Sequence, residues 1–259
     1  MGSKLNRIGE IYETKRGEKI KIIKYDNSHD CDVLFLDYNW IEKNVSFNSI
    51  KKGCTKSTFT PSVYNVGYLG EDFYKYNNVK SLPQYVTWRN MLKRCYCEKH
   101  LKVCESYKKI TVCEEWYNFS NFYKWYNLSY YEIEGEKMCL DKDILNKNAN
   151  QYSPENCAFV PERINLIFTK CDKSRGENPI GVSYHKQHEK FMASCRIYDY
   201  KENKTKQKHL GYYDNTEEAF EVYKQFKEKH IKKVADYYKD KIPNKLYQAM
   251  YDYEVEITD

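Results

Sequence analysis

Alternating polar and apolar residues mark two β-rich stretches of this chain. Near the N-terminus, short β-prone runs at 19–25, 32–36 and 44–50 are separated by Asp, Asn, Ser and Gly, which favour turns. A second stretch, from Gly181, holds three such runs and ends in a helical pattern after Asp214. We therefore expect a small N-terminal sheet or barrel, and a three-stranded sheet followed by one helix further on.

Within the second stretch, alternation assigns the side chains to two faces of the sheet. The residues expected to face the core are Val182, Tyr184, Phe191, Ala193 and Cys195, covered by a helical stripe of Ala219, Phe220, Tyr223 and Phe226. The residues expected to point outward are Ser183, His185, Ser194, Arg196, Gln207 and His209. A polar ribbon of this kind can enter the DNA major groove, which is about 12 Å wide.

The middle of the chain has helical spacing instead. One predicted helix buries Tyr85, Trp88, Met91, Leu92 and Cys95, and a second buries Trp116, Phe119, Phe122, Tyr123 and Tyr126. Such aromatic stripes are typical of a core rather than of a ligand cage. The fold class is therefore α+β with several modules. Their predicted bounds are a β-rich module at 1–60, a linker at 61–78, a middle module at 79–170, the second sheet and its helix at 179–235, and a tail at 236–259.

Charge and cysteine content limit the function classes. The 43 Lys and Arg residues exceed the 37 Asp and Glu residues by a moderate margin, which favours an anionic partner only weakly. No apolar run reaches the roughly 18 to 20 residues of a membrane helix, so we expect a soluble cytoplasmic protein without a membrane partner. The ten cysteines are expected to be reduced. Two alternatives stay open for Cys95, Cys113, Cys139 and Cys157: zinc ligands, or small buried apolar residues.

The second sheet carries a family resemblance. Residues 179–233 resemble the plant APETALA/ethylene-response-factor DNA-binding domain, on the basis of Gly181-Val182, "KFMASCRI" and "HLGYYDNTEEAFEVY". Bacterial and phage relatives of that domain lie at the ends of mobile endonucleases. The resemblance implies that double-stranded DNA contacts the outward residues named above. The lysines expected to contact phosphates, or else to form a solvated rim, are Lys186, Lys190, Lys204, Lys206 and Lys208. Because Arg196 is the one firmly charged base reader of this set, relaxed specificity is expected.

A second resemblance covers residues 85–168. "CLDKDILNKNANQYSPENCAFVPERIN", with "MLKRCY" and "ITVCEEW" before it, resembles phage HNH-type homing endonucleases. That family implies a β-hairpin and a helix around one divalent metal, with a His that activates water. Here the His position holds Lys142, and a lysine cannot readily serve as a general base while it is protonated. The implied catalytic residues are Asp141, Lys142, Asp143 and Asn156, and the implied Mg²⁺ ligands are Asp141, Asp143 and Asn165. Alternatively, the aspartates cap a turn or pair with Lys142, and Asn156 closes a turn.

Two classes of function follow. The first is a phage or mobile-element protein of the host bacterial cytoplasm that binds DNA and either nicks it with Mg²⁺ or, with a degenerate site, only grips it. The second is a non-catalytic phage protein that binds and inhibits a host protein, such as a defence nuclease. A transcriptional regulator ranks lower, because no sustained heptad for a dimerising helix is evident.

Overall fold

A computed structural model describes residues 6–73, 78–147, 149–169, 178–199 and 204–257 of the chain. The chain divides into two units, residues 1–126 (unit 1) and 127–259 (unit 2). Helices occur beside several small sheets, so the predicted α+β fold with more than one module is confirmed. None of the described helices combines the length and the apolar composition that a membrane-spanning segment requires.

Unit 1 begins with an antiparallel sheet in the order β1-β2-β3-β4. Its strands are β1 (Ile11–Glu13), β2 (Lys19–Asn27), β3 (Asp30–Phe35) and β4 (Trp40–Val45), and α1 (Phe47–Lys51) follows. Alternation along β2 and β3 buries one face. The core of the sheet consists of Ile20, Ile22, Cys31, Val33, Phe35 and Ile50.

One predicted strand is wrong. The run at 44–50 was expected to be extended, yet β4 ends at Val45 and a helix starts at Phe47. Ser46 causes the change, because its side chain accepts a hydrogen bond from the backbone N–H of Ser49, at 3.1 Å, and so caps the helix. Ile50 then enters the core from a helix instead of a strand.

The helical half of unit 1 holds α2 (Pro83–Tyr96), α3 (Glu98–Leu101), the short strand β5 (Thr111–Val112) and α4 (Phe119–Ser129), which runs on into unit 2. Four 3-10 turns accompany them: Glu71–Phe73, Val79–Ser81, Glu105–Lys109 and Glu114–Tyr117. All five residues of the first predicted stripe are buried on α2. Of the second stripe, Trp116 precedes α4, and its carbonyl accepts a hydrogen bond of 2.6 Å from the Trp88 indole.

The segment expected to be a linker is packed in unit 1 where the structure describes it. The backbone N–H of Tyr68 donates to the carbonyl of Tyr117 at 2.9 Å. A Cβ atom on Gly67 would lie 2.8 Å from the ring of Trp88. Residues around Gly67 therefore pack against α2.

Unit 2 contains two β-α arrangements. In the first, β6 (Met138–Asp141) pairs antiparallel with β8 (Ala158–Pro161), which leads into α5 (Glu162–Phe168); β7 (Gln151–Tyr152) lies in the connection. In the second, β9 (Val182–His185), β10 (Lys190–Asp199) and β11 (Lys204–Tyr213) form an antiparallel sheet in the order β11-β10-β9. The helices α6 (Thr216–Tyr238) and α7 (Asn244–Tyr251) follow. The predicted three strands and one helix are present.

One hydrophobic core joins these arrangements. It takes Ile164 and Ile167 from α5, Cys195 from β10, and further buried residues of α6, α7 and the C-terminal segment: Tyr223, Ile231, Val234, Ala235, Tyr238, Leu246, Met250 and Val255. These residues were predicted to belong to three separate modules, at 79–170, 179–235 and 236–259. Short elements such as α5 and α7 cannot bury an apolar face alone, so they share the long helix α6 as a common partner.

Candidate nucleic-acid interface and hairpin site

The outer face of the sheet, defined as the side of β9–β11 turned away from α6, collects all seven residues predicted to contact DNA. Cross-strand partners share a face. The register pairs Ser194 with His209, and Arg196 with Gln207. It also pairs Met192 with Ser183, and Lys190 with His185. The opposite face holds Val182 and Ala193, which pack against Ala219 of α6.

A β-bulge sets the faces of β11. Ala193 pairs with Gly211, but the next residue, Ser194, pairs with His209, so Leu210 is the additional residue. Leu210 and Tyr213 both pack on the core side. The bulge thus resets the alternation, and Gln207 and His209 point outward in one half of the strand while Tyr212 points outward in the other.

The same register places the β11 lysines on the core-facing side of the sheet. Lys206 pairs with Ile197, and Lys208 with Cys195, and both of these partners face the core. Lys204 has the same phase, since it pairs with Asp199. On the outer face, Lys190 forms an ion pair with Asp214, with 3.0 Å between Nζ and Oδ1. Three of the five lysines expected to contact phosphates therefore lie on the opposite side from Arg196.

The outer face offers hydrogen-bonding and aromatic groups. The Gln207 amide donates to Ser194 Oγ at 2.8 Å, and Arg196 is exposed. His185, His188 and His209 surround the Tyr212 ring, with centroid distances of 5.2, 4.4 and 4.7 Å. Tyr212 and His188 were not among the residues predicted to point outward. Uninterrupted alternation from His209 would place Tyr212 on the core-facing side, and the bulge, which cannot be predicted from the sequence pattern, reverses this.

The hairpin site, formed by β6, β8 and α5, has the strand-strand-helix order that the HNH resemblance implies. Asp141 ends β6, and its Oδ1 accepts hydrogen bonds from the backbone N–H groups of Asp143, at 2.9 Å, and Ile144, at 2.8 Å. Burial raises the pKa of Asp141, although the two backbone donors and Lys142 act in the opposite direction. This carboxylate therefore closes a turn at the end of the strand.

Lys142 is buried, with 7% of its surface exposed. Its Nζ lies 2.5 Å from Asp143 Oδ1 and donates to the Ala149 carbonyl at 3.0 Å. Asn156 donates to the Gln151 carbonyl at 3.0 Å, and its Oδ1 accepts from Asn146 at 3.3 Å. All of these contacts stay within the connection between β6 and β8, so Lys142 and Asn156 organise that connection.

The predicted metal ligands are more dispersed. Asn165 is half-buried on α5, apart in sequence from Asp141 and Asp143. Of the four cysteines considered for zinc, Cys95 and Cys157 are buried and Cys113 and Cys139 are half-buried. Cys95 and Cys113 belong to unit 1, and the other two to unit 2. Over the described ranges, no group of three or more His, Cys, Asp or Glu side chains is arranged to hold a metal ion. Both metal sites remain predictions.

Comparison with known proteins provides no relative from which a function could be inferred. No family model, curated protein or solved structure matched the chain. The outer face and the hairpin site are therefore the features from which a function can be proposed.

Proposed function

We propose that this protein binds double-stranded DNA through the outer face of the β9–β11 sheet. The observation that carries the proposal is the register, which aligns Arg196 with Gln207 and Ser194 with His209 on an exposed polar surface. Arginine and glutamine side chains can make paired hydrogen bonds to guanine and adenine edges, respectively. Because α6 covers the other face, the sheet is supported as a ribbon that a major groove can admit.

The charge on this surface supports modest affinity. Each neutralised phosphate contributes about −0.9 to the slope of log K against log salt, so a surface with few free cations gives a shallow slope. Lys190 is paired with Asp214, and Lys206 and Lys208 lie on the core-facing side. We therefore expect weaker salt dependence than the basic composition of the segment suggests, and relaxed specificity.

The geometry of the hairpin site supports binding without cleavage. A general base must accept a proton, and a protonated ammonium cannot. Lys142 donates to Asp143 and Ala149, and Asp141 accepts from two backbone amides. In this proposal the hairpin is a scaffold, and DNA remains intact after binding.

The test is fluorescence anisotropy of a labelled duplex at low salt. We expect Arg196→Ala to raise the Kd about tenfold or more, because a lost arginine contact to a base costs about 1–3 kcal/mol. Lys208→Ala is the matched control: it removes one positive charge from the same sheet, but from the core-facing side. Its Kd should change much less.

Two results would contradict the proposal. One is a failure to bind any duplex at low salt; the other is equal loss of affinity in the two variants. Incubation of supercoiled plasmid with Mg²⁺ or Mn²⁺ tests the scaffold role, since metal-dependent nicking lost in Asp141→Ala would assign catalysis to the hairpin. A complex with a host protein that survives nuclease treatment and high salt, without DNA binding, would favour the inhibitor alternative.

A further inference from the structure

A cavity in unit 2 shares part of its wall with the outer face, because Ser183, Ser194, Arg196 and Gln207 line both. Its volume is about 860 Å³, and its walls come from α5, β10, β11, α6 and the C-terminal segment. Sites for small molecules typically occupy roughly 300–1,000 Å³. The cavity is therefore large enough for one small ligand.

The charged side chains that the structure describes in the cavity wall are all cationic, and Arg163 among them is paired with Glu136. Four cationic side chains line it: Arg163, Arg196, Lys206 and Lys227. Among its described lining residues, none is acidic. Cations gathered on one concave wall raise the local concentration of anions. The ligand that suits this cavity is negatively charged.

Arg163 is held in place before any ligand arrives. Its Nη1 donates to Glu136 Oε1 at 3.2 Å, and its guanidinium carbon lies 4.7 Å from the centroid of the Tyr198 ring. The Tyr238 hydroxyl donates to the same Glu136 oxygen at 2.7 Å, and the Glu136 side chain is only 8% exposed. A guanidinium fixed in this way has lost part of its conformational entropy already, and its planar fork matches a phosphate.

The remaining lining residues describe the uncharged part of the ligand. Aromatic rings come from Phe168, Tyr198, Tyr223 and Tyr253, and hydroxyl groups from Ser183, Ser194 and Thr205. Flat rings favour stacking on another ring, and hydroxyls favour a ligand with hydrogen-bonding groups.

We propose that this cavity binds a mononucleotide, with its base against the aromatic wall and its phosphates among the four cations. This proposal does not rest on DNA binding, although Arg196 belongs to both surfaces. Ser183, Ser194 and Arg196 lie on the outer face and also line the cavity, so the cavity opens at the margin of that face.

The test is isothermal titration calorimetry of the full chain with ADP, adenosine and inorganic phosphate as separate ligands. We expect ADP to bind, and Lys227→Gln to weaken its binding by about tenfold or more, as for other charged hydrogen bonds. Lys206→Gln serves as a second variant. Lys229→Gln is the matched control, since it lies on the same helix, is exposed and does not line the cavity. Far-UV circular dichroism verifies that each variant is folded.

Three outcomes would overturn the nucleotide site. They are absence of ADP binding, unchanged ADP affinity in both folded cavity variants, and adenosine or inorganic phosphate binding as tightly as ADP. The two proposals fail separately. ADP binding without duplex binding would reject the DNA-binding face and keep the cavity, and duplex binding without ADP binding would do the reverse.

Discussion

Gly181 stands directly in front of the Tyr223 ring, with its backbone in the left-handed region at a φ of +77°. A Cβ atom at this position would lie 2.1 Å from Tyr223 Cδ2, far inside van der Waals contact. Glycine at the start of the sheet therefore meets two separate demands: a backbone conformation that costs other residues about 1–2 kcal/mol, and a close approach to α6.

We expect Gly181→Ala to lower the free energy of unfolding by on the order of 3 kcal/mol, from backbone strain and overpacking together. Gly135→Ala is the control, because Gly135 has a similar φ of +74° but nothing within 4 Å of the added Cβ; it should cost about 1 kcal/mol. Urea unfolding followed by far-UV circular dichroism measures both. Equal losses of unfolding free energy in the two variants would show that the Tyr223 ring moves aside without cost.

Single residues were predictable from sequence where their environment is local. Alternation over two or three positions correctly separated Ser194 and Arg196 from Ala193 and Cys195. The environment of Lys142 was not predictable, because its Nζ contacts the carbonyl of Ala149, seven residues away in the connection between β6 and β8. An ion pair between Lys142 and an aspartate was one of the alternatives left open from the sequence. The structure shows this ion pair between Lys142 and Asp143.

At the scale of single elements, α6 shows the clearest agreement between sequence and structure. Asn215 caps the helix, because its side chain accepts a hydrogen bond from the Glu218 backbone N–H at 2.8 Å. The helix continues to Tyr238, past the predicted end of the domain. By contrast, α1 was predicted as a strand, since its apolar spacing fits both structures and only the Ser46 cap decides between them.

His230 makes α6 sensitive to acid. Burial lowers the pKa of His230 to about 4, and the charges of Lys227 and Lys233 act in the same direction. Between its ordinary value of about 6.5 and this value, the unfolded chain binds a proton that the folded chain does not, so stability falls as the pH drops through this window. We expect the wild type to lose on the order of 2 kcal/mol more than His230→Gln between pH 7.5 and about pH 4.5.

Urea unfolding at the two pH values, followed by far-UV circular dichroism, measures this difference. His209→Gln is the control, because His209 is exposed on β11 and its replacement leaves α6 untouched. It should retain the acid sensitivity of the wild type. The same pH dependence in His230→Gln as in the wild type would place the acid sensitivity elsewhere.

At the scale of the whole molecule, unit 2 depends on the C-terminal segment. Leu246 is 1% exposed and Met250 is fully buried in the core that α5 and α6 also form. We expect Leu246→Ala to lower the free energy of unfolding by about 2–5 kcal/mol, the usual cost of truncating a buried leucine. Gln248→Ala, on the exposed side of α7, should change it by less than about 0.5 kcal/mol. Thermal and urea unfolding of both variants measure these changes. If Leu246→Ala were as stable as Gln248→Ala, α7 would be dispensable for the stability of unit 2.

The elements of unit 2 could be predicted from the sequence, but the hydrophobic core that they share could not. Periodicity reports which face of an element is apolar, and not which other element covers it. The hydrogen bond of 2.9 Å from the backbone of Val255 to Glu228 joins positions 27 residues apart. The alternation and the helical stripe therefore predicted the second sheet correctly, while the tail, which completes its core, carried no signal of that role.

The bulge at Leu210 gives the register of β11 a consequence of its own. If the bulge were lost through a slip in register, so that Ser194 paired with Leu210, residues 204–209 would exchange faces: Lys204, Lys206 and Lys208 would join Arg196, and Gln207 and His209 would turn towards α6. The same strand can therefore present either of two sets of side chains on the outer face, one of amide and imidazole groups and one of ammonium groups. A slip of one residue in the pairing of β10 with β11 would therefore convert a surface suited to selective contacts into one suited to any polyanion, without a single substitution.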